Sequence, residues 1–174
     1  MKRFSIFFTL FFSFFLISSM QAQETPAFGK VSYLSAALND NWASGAGGMG
    51  AKFLNKTIYL GGGGYALSNA EGLSMGYGGV LLGYQWSGKE DRNSVNFQVL
   101  GGYGAAAFED EGGSISDDYY VLQPSVEVEF PITNWMRAGV GGGFRMTRGV
   151  SLGEFADPQL SGTFASLSLR FGSW

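Results

Sequence analysis

The chain has no cysteine, no histidine, only 4 prolines among its 174 residues, and few charges, with Asp, Glu, Lys and Arg together at 14%. Each shortage excludes something. Without cysteine there are no disulfides, and no thiol to carry a lipid anchor behind an export signal. Without histidine, Ser-His-Asp and Asp-His arrangements and histidine-ligated metal sites cannot be built. No apolar run is long enough for a membrane helix. The longest, Phe4–Ile17, is broken only by Ser5, Thr9 and Ser13, but at about 14 residues it falls short of the roughly 20 that cross a bilayer. Lys2 and Arg3 precede it and the small, polar Ser18–Gln23 follows, the layout of a secretory signal cleaved after Ala22. Residues 1–22 are therefore expected to be a signal peptide and residues 23–174 one domain. The formal net charge of −3 falls by two, to −5, once Lys2 and Arg3 leave with the signal, which argues against a nucleic-acid partner.

What the chain has in abundance is glycine, 28 residues, and aromatic side chains, 16%. Glycine costs roughly 1 kcal/mol per helical position relative to alanine, and glycine-rich disorder lacks so many aromatic and β-branched residues. Strands remain. Turn chemistry divides Gln23–Trp174 into eight extended runs: Gly29–Leu38, Gly45–Leu54, Thr57–Ser68, Ser74–Trp86, Ser94–Phe108, Asp118–Phe130, Trp135–Thr147 and Leu160–Phe171. Asn55-Lys56, Ser87–Asn93 and Pro131–Asn134 form one set of connections. Asn39–Ser44, Asn69–Leu73, Glu109–Asp117 and Arg148–Gln159 form the other, and its last two members are longer and carry acidic residues.

Residues alternate within the runs. In the sixth, Leu122, Pro124, Val126, Val128 and Phe130 oppose Gln123, Ser125, Glu127 and Glu129; in the seventh, Met136, Ala138, Val140, Phe144 and Met146 oppose Arg137, three glycines and Arg145. In the eighth, Ala165, Leu167, Leu169 and Phe171 oppose Ser166, Ser168 and Arg170. The first two runs fit more weakly, with Lys30 and Lys52 on the faces turned inward. A soluble antiparallel sandwich has the same period, with its charges facing water. An even strand number, export without a lipid anchor, roughly alternating short and long connections, and strands of roughly 10 or more residues favour a different solution. That solution is an all-β, eight-stranded, antiparallel up-and-down transmembrane barrel in the outer membrane, with loops extracellular and both termini periplasmic. Aromatic residues sit where interfacial girdles belong: Phe53, Tyr59, Tyr84, Trp86, Phe97, Phe130, Trp135, Phe171 and Trp174 towards the short turns, and Tyr33, Trp42, Tyr65, Tyr103, Tyr119, Phe144 and Phe155 towards the long loops. Of these, Tyr59, Tyr65 and Tyr119 fall in the inward phase.

With its apolar amino-terminal segment, eight amphipathic runs and terminal "ASLSLRFGSW", the chain resembles the small outer-membrane β-barrels of the OmpA/OmpX/OmpW class. The alternating Ala165, Leu167, Leu169 and Phe171 resemble the carboxy-terminal strand by which such barrels are recognised for assembly, with Trp174 as an aromatic last residue where phenylalanine is commoner. The run "LQPSVEVEFPITNWMRAGVGGGFR" also resembles uncharacterised barrels of Bacteroidota. The resemblance implies the barrel assembly machinery as a partner and carries no catalytic residue across, since outer-membrane barrel enzymes lean on histidine.

Four features compete as sites. "GAGGMGAK" at Gly45–Lys52 satisfies G-x-G-x-x-G, but no helix-period segment follows it, and a nucleotide turn needs strand before and helix after. Glycine here is expected to let large lumenal side chains approach in a narrow barrel. Glu127 and Glu129 alternate on one strand face like paired carboxylates; with Arg137 and Arg170 nearby, an interior charge network is the better reading. Glu109-Asp110-Glu111 with Asp117-Asp118 lacks the spacing of a calcium loop and reads as solvated surface. Finally, the lumen divides. Its periplasmic half is polar; its outer half is apolar, with Leu67, Tyr77, Leu100 and Phe164 beneath Arg145 in a ligand cup suited to an amphipathic acid.

The function expected is that of a non-enzymatic outer-membrane barrel, without cofactor or metal, serving as a structural or interaction protein of the cell envelope. Its expected partners are membrane lipid and surface glycolipid. The alternative is binding or passage of a small apolar or amphipathic ligand through the outer half.

Overall fold

In the computed structural model the described residues are 26–38, 41–70, 72–87, 93–110, 113–149, 151–152, 155–156 and 160–173. The expected signal segment with its cleavage after Ala22, most of the Ser87–Asn93 connection, Glu111 and Trp174 lie outside them. Eight strands close into a barrel: β1 (Ala27–Leu38), β2 (Asn41–Phe53), β3 (Ile58–Ser68), β4 (Leu73–Ser87), β5 (Ser94–Asp110), β6 (Gly113–Pro131), β7 (Met136–Arg148) and β10 (Gly162–Gly172). Between β7 and β10, β8 (Ser151–Leu152) and β9 (Phe155–Ala156) pair only with each other. Each barrel strand is antiparallel to both neighbours, and β10 closes the circuit on β1. Following the register from Ala27 through Lys52, Leu60, Leu82, Val99 and Pro124 and on round returns to β1 about ten residues further along, the stagger that tilts and closes a barrel of this size.

The ends are knit by backbone bonds. Phe53 N donates to Pro26 O at 2.9 Å, Gly172 N to Trp135 O at 3.0 Å and Ser173 N to Ala27 O at 3.1 Å, so the described ends of the chain meet the β2–β3 and β6–β7 turns. Asn55 sets the first of those turns, its Oδ1 accepting from Thr57 N at 2.9 Å and Ile58 N at 2.7 Å. At the opposite end Asn69 does the same work for Leu73 N at 2.9 Å, beside Gly72 at φ 88°.

Two expectations change at the strand ends. Much of Glu109–Asp117 is strand: the β5–β6 ladder runs on to Asp110↔Gly113. Charge does not bar a hairpin from extending when each backbone group finds a partner across it. Lys52 also turns outward and Phe53 inward, where Phe53 is buried against Phe28 and Tyr59 with ring centroids 5.9 and 5.5 Å away. The phase of β2 is carried by Met49, Ala51 and Phe53, all buried, and Lys52 near the barrel's end keeps its ammonium in water.

Elsewhere the alternation holds. Val80, Leu82, Val99, Val140 and Leu167 face outward and exposed, with Tyr84, Trp86, Phe130 and Trp135 towards one end and Trp42, Tyr103 and Tyr120 towards the other. Tyr59, Tyr65 and Tyr119 are buried in the lumen. The glycines make room for them. A Cβ on Gly47, the second glycine of "GAGGMGAK", would come within 2.3 Å of the Tyr65 ring, and one on Gly83 within 2.1 Å of Tyr59. Gly45–Gly50 lie in strand β2, and Gly47 among them serves lumenal packing.

An expected outcome follows from the two faces. Refolded into lipid bilayers, variants carrying arginine at Leu82, Val99, Val140 or Leu167 should each lose about 2–4 kcal/mol of unfolding free energy at mid-bilayer depth. Arginine at Gln98 or Ser166, both buried in the lumen, should act by disturbing lumenal packing, with no dependence on bilayer thickness. Denaturant titration in bilayers of two thicknesses checks this, and equal behaviour of the two sets would contradict the assignment of faces.

Candidate functional site

The lumen carries the chemistry. Three cations stand side by side on one wall: Lys30 of β1 is directly opposite Arg170 of β10, which is directly opposite Arg137 of β7. Like charges so placed repel. The counter-charges come from β6, where Glu127 faces Gly141 and Glu129 faces Gly139, leaving Arg137 diagonal to Glu129. Both carboxylates are sealed, at 2% and 1% exposure.

Two ion pairs form. Lys30 Nζ lies 3.3 Å from both Glu127 oxygens and donates to Gln98 Oε1 at 3.2 Å, while Ser168 Oγ donates to Glu127 Oε1 at 3.0 Å. Arg170 Nη1 bonds Glu129 Oε2 at 2.9 Å and Oε1 at 3.1 Å, and reaches Gln85 Oε1 at 2.9 Å. Ser94 joins the third cation to the group: Arg137 Nη1 donates to its Oγ at 2.9 Å, and that hydroxyl donates to Glu129 Oε2 at 3.3 Å. The guanidinium of Arg170 also lies over the Phe28 ring, 3.5 Å from its centroid, a cation–π contact in a desolvated setting. Gly139 is part of the arrangement, because a Cβ there would fall 2.4 Å from Ser168 Oγ and 2.8 Å from Glu127 Oε1.

Glu127, Glu129, Arg137 and Arg170 are thus brought to one layer. Sequence reasoning left out Lys30, whose inward phase was visible but whose partner lies 97 residues away, and Ser94, which carried no signal. The layer has little to offer as acid–base chemistry: each carboxylate is engaged by a cation and a hydroxyl, and neither reaches solvent.

Above this layer sit the five cup residues. Leu67, Tyr77, Leu100 and Phe164 are all buried members of the hydrophobic core. Tyr77 packs between Tyr65 and Tyr119, with ring centroids 5.7 and 6.4 Å away, and donates to Gln123 Oε1. Arg145 is fully buried at 0% exposure; its Nε donates to Leu160 O at 3.1 Å, and its Cζ lies 5.7 Å from the Tyr77 ring centroid. Of the acidic stretch, Asp117 and Asp118 lie on β6, opposite Ala106 and Ala105.

No protein family matches the sequence, and neither does any curated protein. Solved structures do match in fold. The Neisserial surface protein A (NspA) is similar with a TM-score of 0.63 at 11% identity, over 87% of this chain and 98% of that one. The N-terminal β-barrel domain of Pseudomonas aeruginosa OprF gives 0.58 at 8% identity, over 86% and 99%. Ail, the attachment invasion locus protein of Yersinia pestis, gives 0.54 at 12% identity, over 85% and 97%. The fold is that of the small eight-stranded outer-membrane barrels.

The charge layer should behave as coupled pairs. Lys30→Met alone should destabilise the barrel by about 3–5 kcal/mol, because it strands a buried carboxylate. Lys30→Met with Glu127→Gln should cost less than the single change. A double-mutant cycle by denaturant titration in micelles measures the coupling, and simple additivity would count against a paired layer.

Proposed function

We propose that this chain is a non-enzymatic outer-membrane barrel that serves the cell envelope as a structural or interaction protein, presenting the extended β5–β6 hairpin and the β7–β10 connection at the cell surface. One observation carries the reading. The barrel is inside-out relative to a soluble protein, with its buried charges in the lumen and leucine, valine and aromatic side chains exposed around its outside. Exposed apolar area of that extent needs a covering phase, and a bilayer supplies one of the right shape, an apolar band between aromatic girdles. Both described chain ends meet the β2–β3 and β6–β7 turns at one end of the barrel, while the 17-residue β5 and 19-residue β6 extend to the other, which supports periplasmic termini and extracellular loops.

The partners follow from the same surfaces. Membrane lipid covers the exterior, and surface glycolipid meets the loop end. The alternating Ala165, Leu167, Leu169 and Phe171 of β10 suit the strand that assembly machinery would read, with Leu167 and Leu169 exposed on the outer face. By their names, the proteins similar in fold include a surface protein and an attachment invasion locus protein, which accords with an anchor that holds loops at the surface. Absence of histidine and engagement of both lumenal glutamates support a role without catalysis.

The experiment is extraction and electrophoresis. The protein should stay in the membrane fraction through salt and alkali washes, enter solution only with detergent, and migrate differently on a gel before and after boiling. Release by salt without detergent, with the same mobility boiled or unboiled, would overturn the membrane placement.

A further inference from the structure

The lower lumenal layer sets two carboxylates, Glu127 and Glu129, against its three cations; among the described residues the upper layer has none. Arg145 is fully buried, and its Nη1 and Nη2 have no close hydrogen-bond partner among the described residues, the Tyr77 hydroxyl acting on the guanidinium only from a longer distance. No buried carboxylate stands in its layer among those residues, Glu127 and Glu129 being paired with Lys30 and Arg170 below. A guanidinium cannot escape burial by losing its proton. A buried polar group left without a partner calls for one, and an ion is among the usual answers.

We propose that Arg145 is the receptor for one oxyanion, a carboxylate, phosphate or sulfate group, admitted from the loop end of the barrel. The chemistry fits, because two unpartnered nitrogens on one guanidinium match two oxygens of such a group. The direction fits as well. Arg145 pairs with Gly162, the first residue of β10, and lies three positions before the end of β7 at Arg148. Thr147, the next lumenal residue along β7, and Ser161 present hydroxyls 3.1 Å apart there, and Thr147 N donates to Ser161 Oγ at 3.0 Å. This polar pair stands between the rim and the guanidinium. Size is limited: Leu67, Tyr77, Leu100 and Phe164 are buried in the lumen, so a head group binds and any alkyl tail stays outside. Both nitrogens are sealed, so the surrounding side chains must shift to admit it. This inference concerns the lumen and does not depend on the anchor reading; the extraction assay and the one below fail separately.

The test uses the full chain purified in a zwitterionic detergent. Calorimetric titration is run with inorganic phosphate, with sulfate, and with dodecyl phosphate in mixed micelles, on the parent, Arg145→Gln, Arg145→Lys and Arg148→Gln, the last altering an exposed arginine near the same rim. Saturable one-to-one binding is expected in the parent and in Arg148→Gln, weakened about tenfold or more in Arg145→Gln, as loss of a charge-assisted pair implies. Binding of phosphate and sulfate alone identifies a free anion as the ligand; binding of dodecyl phosphate only identifies a lipid-like head group. Should Arg145→Gln fail to fold, Arg145→Lys and the guanidinium nitrogen resonances of the arginine-labelled parent decide: one buried guanidinium must shift on titration. No saturable binding of any probe, or equal binding after loss of Arg145, would overturn the proposal.

Discussion

The interaction on which the rest of this barrel depends is the crossing of charge through its lumen. Lys30, Arg170 and Arg137 occupy directly opposed positions on β1, β10 and β7, a placement that repels unless something negative stands against it. Glu127 and Glu129 on β6 supply it, and they do so by reaching Lys30 and Arg170 across the interior. Because a one-residue slip would turn every side chain of a strand to the other face, this pairing ties the register of β1, β6 and β10 to closure of the whole circuit. The seam between the first and last strands is held by the same side chains that fill the lumen.

Glycine and aromatic content are consequences of that filled interior. Rings and carboxylates occupy a space too narrow for every strand to contribute a side chain at every lumenal position, so Gly47, Gly83 and Gly139 face Tyr65, Tyr59 and Glu127. The exterior is left with what the interior does not use. Its valines, leucines and girdle aromatics would be a liability in water, and they are the natural complement of lipid.

Much of this was legible from the sequence because strand alternation is local. The phases of β4 to β7 and of β10 could be read from residues such as Val126, Val128 and Leu167 against Gln98, Glu127 and Arg170, each constrained by its neighbours two positions away. The failures occurred where local information was thin. Glycine-rich β2 has few side chains to declare a phase, so its sequence points Lys52 inward and Phe53 outward, the reverse of what the structure shows. Acidic Glu109–Asp117 suggested a loop because charge correlates with exposure, whereas a paired hairpin needs only backbone partners. Lys30 could be placed inward but not given its partner, since Glu127 becomes its neighbour only through the stagger and closure of all eight strands. The cup residues could be grouped, but that all of them are buried is a property of packing in three dimensions.

A lumen occupied in its lower layer by paired charges and in its upper layer by packed aromatic and aliphatic side chains should be a plug. Single-channel recording in planar bilayers, on protein verified as folded by its unboiled mobility, tests that claim most directly. The account predicts no sustained conductance from the parent barrel across physiological voltages. Steady, reproducible channel openings from the unaltered protein would contradict it, because ions could then pass a layer that the pairing of Lys30, Glu127, Glu129 and Arg170 is held to close.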